Sequence, residues 1–244
     1  MNEAQEQFLF GPENFLIVAR GLFPREVLRG LRSRIAARRA AVQAQDERSR
    51  KGEEVGVAPD EVRLSEEWYD IWKRGDLAKF RSYVPAFSEV VYPPQIRTVR
   101  NVRAMVPWHQ DATYMEALGK RGHSEVITCF IPLDDEAENR PTLQFCIDPA
   151  QGAVRAIRRM EVDFNQFDVA DADRPAPEKC RTFKLALGDA FVFGKHVLHR
   201  TYAASEVFAE RNSMEFRLTT AGSLVPGKDY FSLRTMCFYR AGTP

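Results

Sequence analysis

Histidine and cysteine are both scarce in this chain, at four copies each in 244 residues. The cysteines, Cys129, Cys146, Cys180 and Cys237, show no C-x-x-C spacing, so a disulfide framework is excluded and a reduced cytoplasmic thiol set is expected. No stretch approaches the ~20 apolar residues that cross a bilayer. The run Met1 to Gln7 is acidic where a secretory leader needs positive charge, so a soluble intracellular protein is expected. A surplus of one charge is missing too: 35 Lys plus Arg against 34 Asp plus Glu leave +1, which argues against a broad contact with nucleic acid or anionic membrane. What remains is an ordinary globular composition, 44% hydrophobic and 28% charged, neither disordered nor collagen-like. Any partner must be held by local chemistry.

The length permits one large domain or two small ones. Asn14 to Arg20 is short, branched and apolar and is followed by Gly21 and Pro24, the pattern of a strand ending in a turn. From Arg25, apolar Val27, Leu28, Leu31 and Ile35 fall at helical spacing to about Ala41, with arginines on the remaining, solvent-facing positions. Residues 43–59 are charged and nearly free of large apolar groups, and read as a loop or a flap. Ser65, Glu66 and Glu67 ahead of Trp68, Ile71 and Trp72 mark a second helix start. After Pro93 and Pro94, strands are expected at 95–105, 125–133, 142–147, 181–187, 190–198, 214–220 and 232–239. There is no internal repeat and no dividing linker. The expectation is one domain over 1–244, with helices within about 1–90 packed on a β core at about 91–240 that forms a sandwich or barrel.

The scarce histidines keep informative company. In Trp108-His109-Gln110-Asp111, the imidazole and the carboxylate stand two apart and share a face on an extended backbone, so both can grip one ion. A third ligand is available from Gly194-Lys195-His196-Val197-Leu198-His199-Arg200, which would complete two histidines and one carboxylate with open positions. An H-x-D alone also occurs by chance. Strand periodicity does not choose between His196 and His199, because both faces of the expected strand 190–198 are largely apolar.

The order of Trp108-His109-Gln110-Asp111, then Leu187-Gly188-Asp189-Ala190-Phe191-Val192-Phe193, then Leu198-His199-Arg200-Thr201, then Arg211-Asn212-Ser213-Met214-Glu215-Phe216-Arg217 resembles the phytanoyl-CoA dioxygenase-like branch of the Fe(II)/2-oxoglutarate dioxygenases. The opening strand and helix resemble that family's start, so the likeness spans most of the chain. It implies a mainly β fold, a double-stranded β-helix (jelly roll, cupin-like) with flanking helices. It implies Fe(II) held by His109, Asp111 and His199, with His196 left to packing or support. It implies Arg211 as the anchor for the far carboxylate of 2-oxoglutarate and Arg217 as the alternative, the other reading of Arg217 being a strand-face ion pair. Asp111 speaks against halogenating relatives, in which a small residue replaces the carboxylate. The segments 138–142 and 148–152 depart from the family pattern, so the substrate does not carry over.

Gln95, Thr128 and Gln144 are polar positions in strand-like runs that could reach cosubstrate or substrate from a barrel wall. Trp108 and Tyr114 could line the substrate space. Arg97 and Arg103, if they point inward, would favour an anionic substrate. The implied reaction couples O2 and decarboxylation of 2-oxoglutarate to succinate with oxidation of a substrate C–H bond, hydroxylation being the default. Two other classes use the same residues differently. A cupin-like zinc hydrolase or isomerase would need no 2-oxoglutarate, and a non-catalytic jelly-roll binding protein would keep the ligands for structure.

Overall fold

The computed structural model describes residues 6–11, 14–50, 65–113, 125–135, 140–148, 150, 156–159 and 166–242. Tyr114, His123, residues 51–59 of the flap-like segment, residues 138–139, 149 and 151–152 of the departing segments, and the side chain of Arg103 lie outside them. The first strands are β1 (Glu6–Gly11) and β2 (Asn14–Ala19), followed by helices α1 (Arg25–Arg50), α2 (Ser65–Arg74) and α3 (Leu77–Tyr83). Then come β3 (Glu89–Val99), β4 (Val126–Pro132), β5 (Thr142–Cys146), the hairpin β6 (Ala156–Arg159) and β7 (Gln166–Val169), and β8 (Cys180–Thr182). The chain closes with β9 (Ala190–Gly194), β10 (His199–Tyr202), β11 (Arg211–Thr219), β12 (Asp229–Ser232) and β13 (Cys237–Arg240).

An antiparallel sheet of eight strands, in the order β1-β2-β9-β4-β11-β3-β12-β13, faces a smaller sheet in the order β10-β5-β8. This is the mainly β, jelly-roll architecture that was expected. Strand alternation sorts the side chains of the large sheet onto two faces. Ile17, Ile127, Cys129, Val192, Met214, Phe216 and Leu218 pack against the helices, joining Leu28, Leu31, Trp68, Ile71, Trp72 and Phe80. Leu16, Val18, Phe130, Phe191 and Phe193 point the other way and meet Leu143 and Phe145 of the small sheet. Trp68 and Trp72 stand edge-on to Phe216, with ring centroids 5.2 and 5.3 Å away. Each tryptophan removes roughly 200 Å² from water, worth about 5 kcal/mol, so α2 is a clamp on the sheet's outer face.

Several boundaries differ from the sequence reading, each for a physical reason. β1, which was not anticipated, extends the sheet beyond β2, so residues 6–11 and 14–19 belong to the β layer rather than to a helical wrapping. α1 continues through Arg50 instead of giving way to a loop at 43, because Ala, Gln, Glu and Arg propagate a helix without needing an apolar face. β3 starts at Glu89 and runs through Pro93 and Pro94. Its register with β11 shifts between Glu215 and Arg217, whose partners are Gln95 and Val91, and a bulge tolerates residues that cannot donate. It ends at Val99, before a 3-10 turn over Val102–Ala104. The expected strand 181–187 shrinks to β8, and 232–239 divides into β12 and β13. The expected strand 190–198 breaks at Lys195 and His196, which form the turn between β9 and β10.

Gly188 starts the motif that feeds β9. Its φ of +100° suits glycine alone, and its carbonyl accepts from the backbone N–H groups of Leu22 and Phe23 at 2.8 and 2.9 Å. Asp189 then accepts from Gly21 N–H, Ala186 N–H and Arg20, at 2.8–2.9 Å, and ties the β2 exit to the β9 entrance.

Candidate metal centre

His109 and His199 meet as an isolated antiparallel bridge: each backbone N–H donates to the other's carbonyl, at 2.9 and 3.0 Å. The bridge brings the first half of the β3–β4 connection onto the first residue of β10. Asp111 follows where the chain turns away, with its backbone neighbour Ala112 donating to Lys195 at 3.0 Å. One ligand atom from each of His109, Asp111 and His199 lies within 4.8 Å of the others, and all three residues are buried.

The histidines are oriented through their other ring nitrogen. Nδ1 of His109 contacts the Pro107 carbonyl at 2.8 Å and Nδ1 of His199 contacts that of Val197 at 2.9 Å. An Nδ1–H donated to a carbonyl fixes the tautomer that presents a lone pair on Nε2. Burial, reinforced by His199, pushes His109 down to about 3, and burial likewise lowers His199, so both rings are neutral at pH 7 as metal ligands must be. Burial alone would raise the Asp111 carboxyl, but Arg217, the two imidazoles and the Thr128 hydroxyl outweigh it and hold it below the ordinary carboxylate range. The donor set is thus two neutral nitrogens and one carboxylate, and it fits a divalent transition metal.

Arg217 and Thr128 sit opposite one another across β11 and β4, and both serve Asp111. Arg217 donates to Oδ1 at 3.1 Å, and Thr128, buried in the sheet, donates a short hydrogen bond to Oδ2. The ion-pair reading of Arg217 therefore describes this structure, and Thr128 supports a ligand rather than facing open space. Gln95 is exposed, opposite Glu215 in the register, and is not brought to the site. Gln144 accepts from Arg200 at 2.8 Å, and Arg200 lies over the Trp108 ring, so these residues form the outer face of the small sheet. His196 lies in the turn, where its carbonyl receives Gln110 Nε2 at 2.6 Å.

Arg211, at the start of β11, is 3% exposed. Its Nη1 reaches the Thr142 carbonyl at 3.4 Å and its guanidinium lies over the Phe130 ring, while Nε and Nη2 find no hydrogen-bond partner among the described residues. Burial pushes it down to about 10, against the opposing influence of Glu215. Two buried, unsatisfied cationic N–H groups are costly unless an anion completes them. Thr142 pairs with Tyr202, three residues along β10 from His199, or about 10 Å of strand. A cavity of about 250 Å³, bounded by Phe130, Arg140, Thr142, Lys184, Tyr202 and Arg211, opens on this side of the site, away from the three ligands.

Two contributors were not anticipated. Ser213, fully buried with its Oγ unpartnered, follows Arg211 on the same face of β11. Asp134 is buried and accepts from the Asn212 backbone N–H while pairing with Arg32 at 2.8 Å and Arg140 at 2.9 Å, which pins the start of β11. The signal for the first was in the sequence: Arg211, Ser213, Glu215 and Arg217 place polar groups at every second position of a strand whose alternate positions from Met214 onward, Met214, Phe216 and Leu218, are apolar. Arg97, paired with Glu215 at 3.7 Å, belongs to this polar face.

A model of the phytanoyl-CoA dioxygenase (PhyH) family matches residues 15–208. No curated protein matches the chain in sequence. Among solved structures, the chain is similar in fold to a non-heme monooxygenase, ThoJ in its apo form, at 13% identity and a TM-score of 0.55, over 85% of this chain and 75% of that one. It is similar also to the epimerase SnoN in complex with Fe3+, alpha ketoglutarate and nogalamycin RO, at 13% identity and a TM-score of 0.52, over 86% and 80% of the two chains.

Proposed function

The chain belongs to the phytanoyl-CoA dioxygenase family of Fe(II)/2-oxoglutarate-dependent enzymes, and from that premise we propose that it oxidises, by hydroxylation, a C–H bond of a small molecule. The observation that carries the reading is the buried convergence of His109, Asp111 and His199 within 4.8 Å. Ferrous iron bound there, with 2-oxoglutarate, supplies O2 activation coupled to decarboxylation and so the oxidising power for the substrate.

The residues have distinct parts in this reading. His109 and His199 present Nε2, and Asp111 adds the charge that retains a divalent cation. Thr128 and Arg217 hold the Asp111 carboxylate in one orientation, the kind of support that tunes a metal site. Arg211 offers its two unpartnered N–H groups to the far carboxylate of 2-oxoglutarate, with the Ser213 hydroxyl beside it. The three ligands and Arg211 stand apart within one layer between the sheets, as the two ends of a dicarboxylate require. Phe145 and Phe193 pack on His199, at 5.9 and 4.7 Å between ring centroids, and keep bulk water from its face. The substrate is proposed to be a metabolite of specialised pathways, by analogy with a neighbour crystallised with nogalamycin RO. A cytoplasmic setting is proposed from the free state of all four thiols.

The test is succinate formation from 2-oxoglutarate with Fe(II) and O2. It is expected in the wild-type protein, abolished in Asp111→Ala, and strongly weakened in Arg211→Ala at low 2-oxoglutarate. Full turnover in Asp111→Ala would overturn the metal assignment, and activity indifferent to 2-oxoglutarate would overturn the reaction class.

A further inference from the structure

Cys146 and Cys180 face each other across β5 and β8 in the antiparallel register. Hydrogen bonding identifies the type of pair they form. The Cys146 N–H donates to Leu198 on β10, on the far side of β5, while the next pair along, Ile147 and Lys179, is joined by an N–H to carbonyl bond of 2.9 Å. Bonds alternate along an antiparallel ladder, so Cys146 and Cys180 occupy a non-hydrogen-bonded position, where opposed Cα atoms approach to about 4.5 Å and side chains lie closest. A disulfide spans Cα separations of about 4.4–6.8 Å, so this position admits one without moving the strands apart. Both side chains also join one apolar cluster with Trp108, Val169 and Leu198. Trp108 and Leu198 are the residues immediately before His109 and His199.

We propose that Cys146 and Cys180 form a reversible dithiol site, closed by peroxide to a cross-strand disulfide at the back of the two histidines. In the closing step the partly exposed Cys180 attacks peroxide as its thiolate, giving a sulfenic acid and one water. Cys146 then displaces the second water and forms the S–S bond. The two thiols lose two electrons and two protons, and peroxide is reduced to two water molecules. Burial raises both thiols, so closure is slow at neutral pH and the reduced form is the resting one. The bridge encloses segment 147–179 in a loop and removes freedom from the unfolded chain.

The experiment uses the full chain carrying Cys237→Ser, which removes the exposed competing thiol. After hydrogen peroxide and quenching, the expected results are an intact mass lower by two hydrogens, a linked peptide containing Cys146 and Cys180, protection of both from alkylation, and a thermal midpoint several degrees higher. Dithiothreitol reverses all four. Cys180→Ser treated in parallel shows neither the mass loss nor the thermal shift. Oxidation of Cys180 to sulfinic acid with Cys146 still alkylatable, or dimers linked through either residue, would overturn the proposal. None of these readouts depends on turnover, so the proposal stands or falls separately from the assigned reaction.

Discussion

Replacing Arg211 by methionine separates the cost of the buried guanidinium from its use. In the folded protein burial pushes its value down to about 10, well below the ordinary guanidinium range. A base whose folded value is depressed carries its penalty in full at any pH below that value, so at pH 7 the fold bears the whole cost of the buried cation. At about 1.4 kcal/mol per unit the shift corresponds to about 3 kcal/mol, in the range by which apolar replacements of buried ions stabilise proteins. Methionine fills similar volume over Phe130 and leaves no donor unsatisfied. The cosubstrate-free Arg211→Met protein should therefore melt roughly 6–12 °C higher than wild type, given about 2–4 °C per kcal/mol for a chain of this size. Binding of 2-oxoglutarate should move in the opposite direction. Two charge-assisted hydrogen bonds at about 1.5–3 kcal/mol each predict a weakening of roughly 10²- to 10⁴-fold. Calorimetric melting without cosubstrate, and anaerobic titration of the Mn(II)-loaded protein with 2-oxoglutarate, measure the two effects. A variant that melts lower and binds 2-oxoglutarate as tightly as wild type would refute the argument, because Arg211 would then be an ordinary structural cation.

Mn(II) at a hundredfold excess over its dissociation constant should stabilise the wild-type fold by about 2.7 kcal/mol, visible as a rise of several degrees in a thermal shift assay, and should leave Asp111→Ala unmoved. Thr128→Val removes the hydroxyl that steadies Asp111 while conserving shape, and should weaken metal binding roughly 10-fold by titration, with little change in folding. In Gly188→Ala the new Cβ would lie 2.8 Å from the Phe23 carbonyl oxygen at a φ of +100°. A loss of about 2–4 kcal/mol is expected in denaturant unfolding, and a neutral result would show that the β2 exit is not held by that turn.

The metal ligands were legible because rare residues fell at a spacing chemistry can use, and because resemblance selected His199 where periodicity could not. Periodicity failed there for a reason the fold explains. Val197 and Leu198 are buried although they follow a turn, so apolar character resumes at once after Lys195 and His196, and two polar residues in an otherwise apolar run read as strand alternation rather than as a break. The roles of Thr128 and Arg217 were out of reach in the same way, since both depend on β4 and β11 lying side by side with Asp111 above them, a long-range pairing that no local pattern encodes. β2 and the apolar stripe of α1 were legible, being locally self-consistent. β1 was not, because its value as a strand comes from pairing with β2 at the sheet edge.

The bridge between His109 and His199 also sets a timetable for the growing protein. A chain that has been synthesised only as far as Asp111 offers iron two ligands and no enclosure. The third ligand emerges after β4, β5 and β9 have been made, and it reaches the first two by completing a main-chain contact rather than by a side chain swinging into place. With these three residues as the ligands, iron capture would be a late event in biogenesis and would report that the strands had found their partners. A misassembled chain would lack the complete trio and so would hold no iron tightly near oxygen, and the topology itself would then be a safeguard against uncontrolled oxidation.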